Sequence, residues 1–310
     1  ADQIDRESKF DTDPKTDDHD RDFNVRSSSH LSIAHLSAHL PRIPGCPGCD
    51  DGKTAAKPAR RRTKPNRFLA TDLANAAPFG QLVHLDWIEH GLKIAFRTLV
   101  LLDDLTSFLG TNPSRTKRHE FVIQAKHHYD STPPSILRIW SDRALEFITA
   151  CRKLRELGSL AHYVSVPYRH ASKVERYIRI IVEGVRAMLS TAGAPEQWAP
   201  LAELFFVAMY NGFVRDRNGC TPHFKRLRRE CEYKQYPWLA LVLARLQPRT
   251  DRLTKYASRL IPCLLAEITL APGGEWGRCY GVFVLESVLS KGRASTIDIC
   301  RTADVVFPET

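Results

Sequence analysis

Two sets of residues have the types and spacing for chemistry. The first is His35, His39, Cys46 and Cys49. An i, i+4 histidine pair sits one helical turn apart. Cys46-x2-Cys49 is a tight thiolate pair, and the IPGCPGC text around it supplies the turn that such a knuckle needs. Two imidazoles with two thiolates suit tetrahedral Zn²⁺; His30 is a spare candidate. The second set is acidic: Asp86 in LVHLDWI, Asp142 ending ILRIWSD, and Glu175 near the start of SKVERYIRIIVEGVRAML. Three converging carboxylates cannot all ionise cheaply without a counter-charge. Oxygen-only donors suit Mg²⁺ or Mn²⁺, and two such ions support in-line phosphoryl transfer. The plain alternative is that strand-end Asp and helix-start Glu are caps and dipole partners.

The elements that must position these acids are legible as patterns. Short apolar runs predict strands over 81–88, 97–103, 135–142 and 162–166. Helices are expected over about 116–129, 143–156, 173–190 and 195–210. In the third of these, Val174, Ile178, Ile181, Val185 and Met188 fall at helical spacing. Glu175 sits just off that stripe, on the flank of Arg179 and Arg186. Strands followed by strands, then alternation with helices, predict an α/β layer fold with a mixed sheet. Asp142 falls at a strand's carboxyl end, where ligands of open α/β sheets sit. Residues 211–240 are basic and irregular, and 261–288 read as a hairpin through the PGG turn of a small β module.

Charge is unevenly placed. The 310 residues carry a net +10, with nine acids against five bases in residues 1–30. The remainder therefore has 40 bases and 26 acids, which suggests a polyanionic partner, with a merely solvated basic surface as the equal alternative on charge alone. Residues 53–67 hold seven bases and no acid: Lys53, Lys57, Arg60, Arg61, Arg62, Lys64 and Arg67. Pro58 and Pro65 argue against a regular element there. Phosphate binding is one use of such a linker, and nuclear localisation is another. KRLRRE at 225–230 is a second basic cluster, either a DNA-binding patch or a solvated helix face. Lys173, two residues before Glu175, is placed to touch a phosphate. No run of 18 apolar residues exists, which excludes a spanning helix, and no secretory signal is visible. Eight cysteines are too sparse for a disulfide scaffold, and the six outside the Cys46–Cys49 pair are scattered and fit a reducing compartment. The chain starts at Ala1, as expected of a piece of a longer polypeptide.

From about residue 30 to 310 the chain resembles the integrase segment of copia-type retrotransposon polyproteins. HLDWI resembles the first-Asp strand, LLDDLTSFLGTNPSRTK the strand pair after it, and WSDRALEF the second-Asp motif. VPYRHASKVERYIRIIVEGVRAMLSTAGAPEQWAPLAELFFVAMYN resembles the Glu-bearing helix and the next one. GCTPHFKRL, the 261–288 text and TADVVFP resemble the region before reverse transcriptase. The resemblance implies an RNase H-like five-stranded core, a DDE triad falling on Asp86, Asp142 and Glu175, and Mg²⁺-dependent 3′-end processing and strand transfer of DNA. Glu146 belongs to the second-Asp motif, whereas Asp103 and Asp104 lie outside the triad. It also implies a homo-oligomer without a membrane partner, a nuclear site of action, and origin in a polyprotein with reverse transcriptase. The family's His-His-Cys-Cys module has a long helical stretch between its pairs. Here only six residues separate His39 from Cys46, so a three-helix zinc domain does not fit.

The resulting division is an acidic segment (1–29), a zinc segment (30–52), a basic linker (53–77), a catalytic core (78–212) and a β-rich C-terminal region (213–310). Two departures stand out. The turn after Asp142 reads Arg143-Ala144-Leu145 without glycine, and His170-Ala171-Ser172-Lys173 replaces the family's Gln, Ser, Asn, Gly. They favour a second reading, a degenerate or repurposed copy that binds nucleic acid without catalysis. A third, an RNase H-like nuclease, leaves the His/Cys set unexplained.

Overall fold

The computed structural model describes residues 32–40, 43, 45–52, 79–91, 96–130, 135–165, 173–246, 260–291 and 298–308. His30, the acidic segment 1–29 and all seven bases of the 53–67 linker lie outside the described residues.

The first sheet is mixed and five-stranded, as expected. It is built from β1 (Val83–Glu89), β2 (Arg97–Asp103), β3 (Leu109–Ser114), β4 (Arg138–Ser141) and β5 (His162–Ser165) in the order β3-β2-β1-β4-β5. β1, β2 and β3 are antiparallel neighbours, whereas β4 is parallel to β1 and β5 to β4. Helices cover both faces, which is why β2 reads as a continuous apolar run rather than an alternation. On one face, Leu85, Leu99, Leu101 and Ile139 pack with Phe147 and Leu154 of α4 (Leu145–Glu156) and Val122 of α3 (His119–Asp130). On the other, Val100 and Leu102 meet Val174, Ile181 and Val185 of α5 (Lys173–Ala192) and Phe205 and Phe206 of α6 (Ala199–Phe213).

β3 has no strand periodicity of its own, because LGTNPS carries Gly and Pro. A side chain from a distant helix secures it: Asn211 of α6 accepts from Leu109 N at 2.9 Å and donates to Leu109 O at 2.7 Å. α6 is apolar nearly all round because it is buried on nearly every side, between β3 and a second sheet.

In that second sheet β7 (Ile261–Leu270) and β8 (Trp276–Val284) form the predicted hairpin around the PGG turn. β6 (Leu241–Ala244), β9 (Cys300–Thr302) and β10 (Val305–Val306) are added to it. The sheet is antiparallel throughout, in the order β10-β6-β7-β8-β9. Val242, Leu265, Val282 and Phe283 belong to the same apolar cluster as Val100 and Ile181. One core therefore runs across the boundary placed at residue 212.

At the amino end, α1 (Ile33–Ala38) and α2 (Pro47–Gly52) are short. Ser32 caps α1 by accepting from His35 N, and His39 closes it in the left-handed conformation at φ 50°. The basic stretch after α6 is irregular except for one short helix, α7 (Pro222–Leu227), which Thr221 caps. No helix among the described residues is long and apolar enough to cross a membrane.

Candidate metal centre and carboxylate site

His35 comes from α1, His39 from its left-handed cap, and Cys46 and Cys49 from the start of α2. All four are buried, and their ligating atoms lie within 4.8 Å of one another. Cys46 Sγ is 3.5 Å from His39 Nδ1, and Cys49 Sγ is 3.3 Å from His35 Nε2 and 3.7 Å from His39 Nδ1. A tetrahedral zinc with nitrogen at ~2.0 Å and sulfur at ~2.3 Å separates the two donors by about 3.5 Å. The donor set thus fits zinc in type, number and spacing, and two short helices suffice where a three-helix module does not fit. Burial pushes the Cys46 thiol up, with the Cys49 thiol adding to it; a bound cation reverses that direction.

The knuckle is docked on α5. Thr191 Oγ1 lies 3.4 Å from His39 Nε2, the ring nitrogen that faces away from the sulfurs. Gly48 approaches the helix so closely that a Cβ there would fall 2.6 Å from Ala187 O. Gln235 donates to Ser37 Oγ at 2.8 Å, tying α1 to the segment before the second sheet.

The three acids lie at the other end of α5. Parallel pairing aligns Val83 with Ile139 and His84 with Trp140. Continued two residues, the same register sets Asp86 opposite Asp142. Asp86 pairs with Val100 on β2 and so points to the α5 face of the sheet. Glu175 lies in the first turn of α5. Burial pushes the Asp86 carboxyl up to about 6, and the charges of Asp142 and Glu175 push the same way. Trp87 N–H, donating at 2.8 Å, and Lys117 hold it down. Asp142 accepts from Ala144 N at 3.1 Å, which turns the chain into α4 without a glycine. Asp86 and Asp142 are half-buried, and Glu175 is exposed. Among the described residues, the His/Cys set is the group of three or more such ligands placed to share one metal ion.

Lys173 is not presented to solvent alone: it pairs with Asp104 at 3.0 Å. Asp103 has a structural role. Buried, it accepts from Gly80 N, Thr106 N and Thr106 Oγ1 in the turn after β2.

The 225–230 cluster does not form a uniform basic face. Lys225 pairs with Asp216 at 2.6 Å and Arg229 with Glu275 at 3.0 Å. Arg226 turns inward. Its guanidinium lies 3.6 Å from the Phe79 ring centroid and 4.5 Å from that of Phe108, and it donates to Asp130 O at 2.8 Å. Arg226 thus closes the carboxyl end of α3. Sequence reasoning misses this role, because an inward arginine and a surface one read alike in KRLRRE. It misses Thr191 too, since nothing in the neighbouring residues marks it as a partner of His39.

No known family's sequence profile matches the chain, and no curated protein does. Solved structures do. The catalytic core domain of HTLV-2 integrase in complex with magnesium, in its trimeric form, is 16% identical with a TM-score of 0.40, covering 48% of this chain and 97% of that one. The catalytic core of BIV integrase is 17% identical with a TM-score of 0.39, covering 48% and 95%. A chain of the simian T-cell lymphotropic virus intasome in complex with PP2A regulatory subunit B56 gamma is 13% identical with a TM-score of 0.40, covering 90% and 100%. At that distance no chemistry transfers, and this chain's own residues must carry the functional reading.

Proposed function

We propose that the chain is an integrase-type polynucleotidyl transferase with an RNase H-like core, acting on DNA phosphodiesters through Asp86, Asp142 and Glu175. The observation that supports this reading is the parallel β1–β4 pairing of His84 with Trp140, two positions before Asp86 and Asp142, together with the Glu175 charge that acts on Asp86. The acids are oxygen donors only, as Mg²⁺ and Mn²⁺ require. The upward shift of Asp86 reflects burial and negative charge that a divalent cation would offset. Such ions, when bound, supply charge neutralisation at the phosphate and activation of the attacking oxygen. The chain's own part is to hold the three carboxylates on rigid elements and to position the DNA. His35, His39, Cys46 and Cys49 hold zinc as a structural centre. Lys53, Lys57, Arg60, Arg61, Arg62, Lys64 and Arg67 contribute sequence-independent phosphate affinity.

The resemblance to copia-type integrases adds 3′-end processing and strand transfer as the reactions, a homo-oligomer on DNA, a polyprotein with reverse transcriptase as the source, and the nucleus as the place of action. The test is nicking and joining of labelled duplex ends with Mg²⁺ or Mn²⁺. Wild-type activity lost in Asp142→Asn is the expected result, since Asn keeps the size and removes the charge. Equal activity in both proteins refutes the assignment.

A second reading, nucleic-acid binding without catalysis, is favoured by the glycine-free turn after Asp142, in which Leu145 is 77% exposed. Salt-sensitive duplex binding with no nicking in either protein is its signature.

A further inference from the structure

The helix that carries Glu175 begins with a cation. Lys173 is the first residue of α5. The aligned peptide dipoles leave partial positive charge there, so a lysine is unfavourable unless an anion faces it. Asp104 is that anion. Its carboxylate takes Lys173 Nζ at 3.0 Å, and its main-chain carbonyl accepts from the same ammonium.

Asp104 is itself held from the sheet. Its N–H donates to Leu82 O at 2.9 Å, and its carboxylate meets His84 Nε2 at 3.2 Å. His84 is buried and stacks on Trp140 at 5.4 Å. These two residues stand two positions before Asp86 and Asp142 in the chain. One helical turn along α5, the Tyr177 hydroxyl donates to Ser107 Oγ at 2.8 Å. The turn after β2 therefore grips α5 at positions 173 and 177, with Glu175 between them.

A pair 38% and 34% exposed is screened by water and adds little to global stability. Its consequence is geometric. The geometry points to Asp104 as a positioning residue: through Lys173 it fixes the first turn of α5, and with it the Glu175 carboxylate, relative to Asp86 and Asp142. The ion-binding part of this inference rests on the carboxylate reading above; the grip on the helix does not.

The experiment uses the full chain as wild type, Asp104→Asn, Lys173→Met, and the double exchange Asp104→Lys with Lys173→Asp. Mn²⁺ affinity is read by calorimetric titration, and the first turn of α5 by amide hydrogen exchange at residues 174–177. Each single change is expected to weaken Mn²⁺ binding about 10-fold, the usual scale for a group that orients a ligand, and to speed exchange at 174–177. The exchanged pair is expected to restore both, and the thermal midpoint should move by no more than ~2 °C. A structural pair with no bearing on Glu175 leaves Mn²⁺ affinity untouched, which overturns the inference. So does a Lys173→Met protein that loses only duplex affinity, because Lys173 then binds phosphate instead. If wild type binds no Mn²⁺ while exchange still rises in the single variants and falls back in the exchanged pair, the grip stands and the carboxylate reading fails.

Discussion

Thr191 Oγ1 lies 3.4 Å from His39 Nε2, so the helix that starts beside Glu175 ends against the His/Cys cluster. The His39 ring is thereby shared: Nδ1 faces the thiols, and Nε2 faces the helix. A ring held through its second nitrogen has its tautomer and orientation set before any metal arrives. The two candidate centres are the two ends of one element of 20 residues, about 30 Å at 1.5 Å per residue.

Removing zinc should therefore be felt in α5. Chelation, or Cys46→Ser with Cys49→Ser, is expected to abolish zinc content and to lower stability by several kcal/mol. At roughly 2–4 °C per kcal/mol for a chain of this size, that is a large drop in the thermal midpoint. Affinity should fall as pH falls, because protons compete for the thiolates and imidazoles. Zinc content by elemental analysis and the midpoint with and without chelator check this. Zinc content unchanged in the double Ser variant removes the assignment.

The sequence makes some of this arrangement legible and hides the rest for physical reasons. β1, β2, β4, β5 and the helices that follow them announce themselves by apolar runs and 3.6-residue periodicity, because burial on defined faces dictates those patterns. The four zinc-type donors announce themselves by residue type. β3 lacks such a pattern because Asn211, 102 residues from Leu109, supplies its support. β6, β9 and β10 are two to four residues long, too short to show a period. Asp104 reads only as a structural acid outside the triad because its partner Lys173 is 69 positions away. Pairings of that kind are set by topology, which composition and spacing do not encode.

Asp86 gives a prediction whose sign is set by burial. Burial pushes its carboxyl up to about 6 in the folded chain, against an ordinary value of 3.8. The folded state therefore binds the proton more tightly than the unfolded state. The associated stability is present below pH ~4 and is lost as pH rises through about 6. Asp86→Asn removes that loss. Without divalent ions the variant should be more stable than wild type at pH 7–8 by roughly 1–2 kcal/mol, after discounting the full shift for solvent screening. At pH 4 the advantage should vanish. Mg²⁺ or Mn²⁺ should reverse the order at pH 7–8 by stabilising wild type alone. Urea unfolding at the two pH values, with and without Mn²⁺, checks this, and an advantage independent of pH contradicts it.

Arg226 supports the fold rather than the DNA surface. Arg226→Ala removes a guanidinium stacked on Phe79 and Phe108 and leaves the carbonyl of Asp130 without that donor. The expected cost is roughly 2–4 kcal/mol. Arg226→Lys keeps the charge but loses the planar face and should recover only part of it. Duplex affinity of the folded variants should match wild type. A protein of undiminished stability in urea with weakened DNA binding contradicts the inward assignment.

DNA affinity and catalysis should separate. The seven bases at 53–67 have no acid among them to hold a divalent ion. Their contribution is counterion release, which weakens steeply as salt rises. Removing one cation that neutralises a phosphate lowers the log–log salt slope by roughly 0.9 on duplex DNA. Replacing Arg60, Arg61 and Arg62 with Ala should weaken binding at every sequence and flatten the slope by up to about three units. Asp142→Asn should leave the slope alone, because removing an acid keeps every cation in place. In the core, Lys173 is already engaged by Asp104, and Lys225 and Arg229 by Asp216 and Glu275. Those pairings make the linker bases the ones to test first. Salt titrations of duplex binding for wild type and both variants decide it: a triple-Ala protein with the wild-type slope makes the linker a tether or a localisation signal and returns the DNA surface to the folded part of the chain.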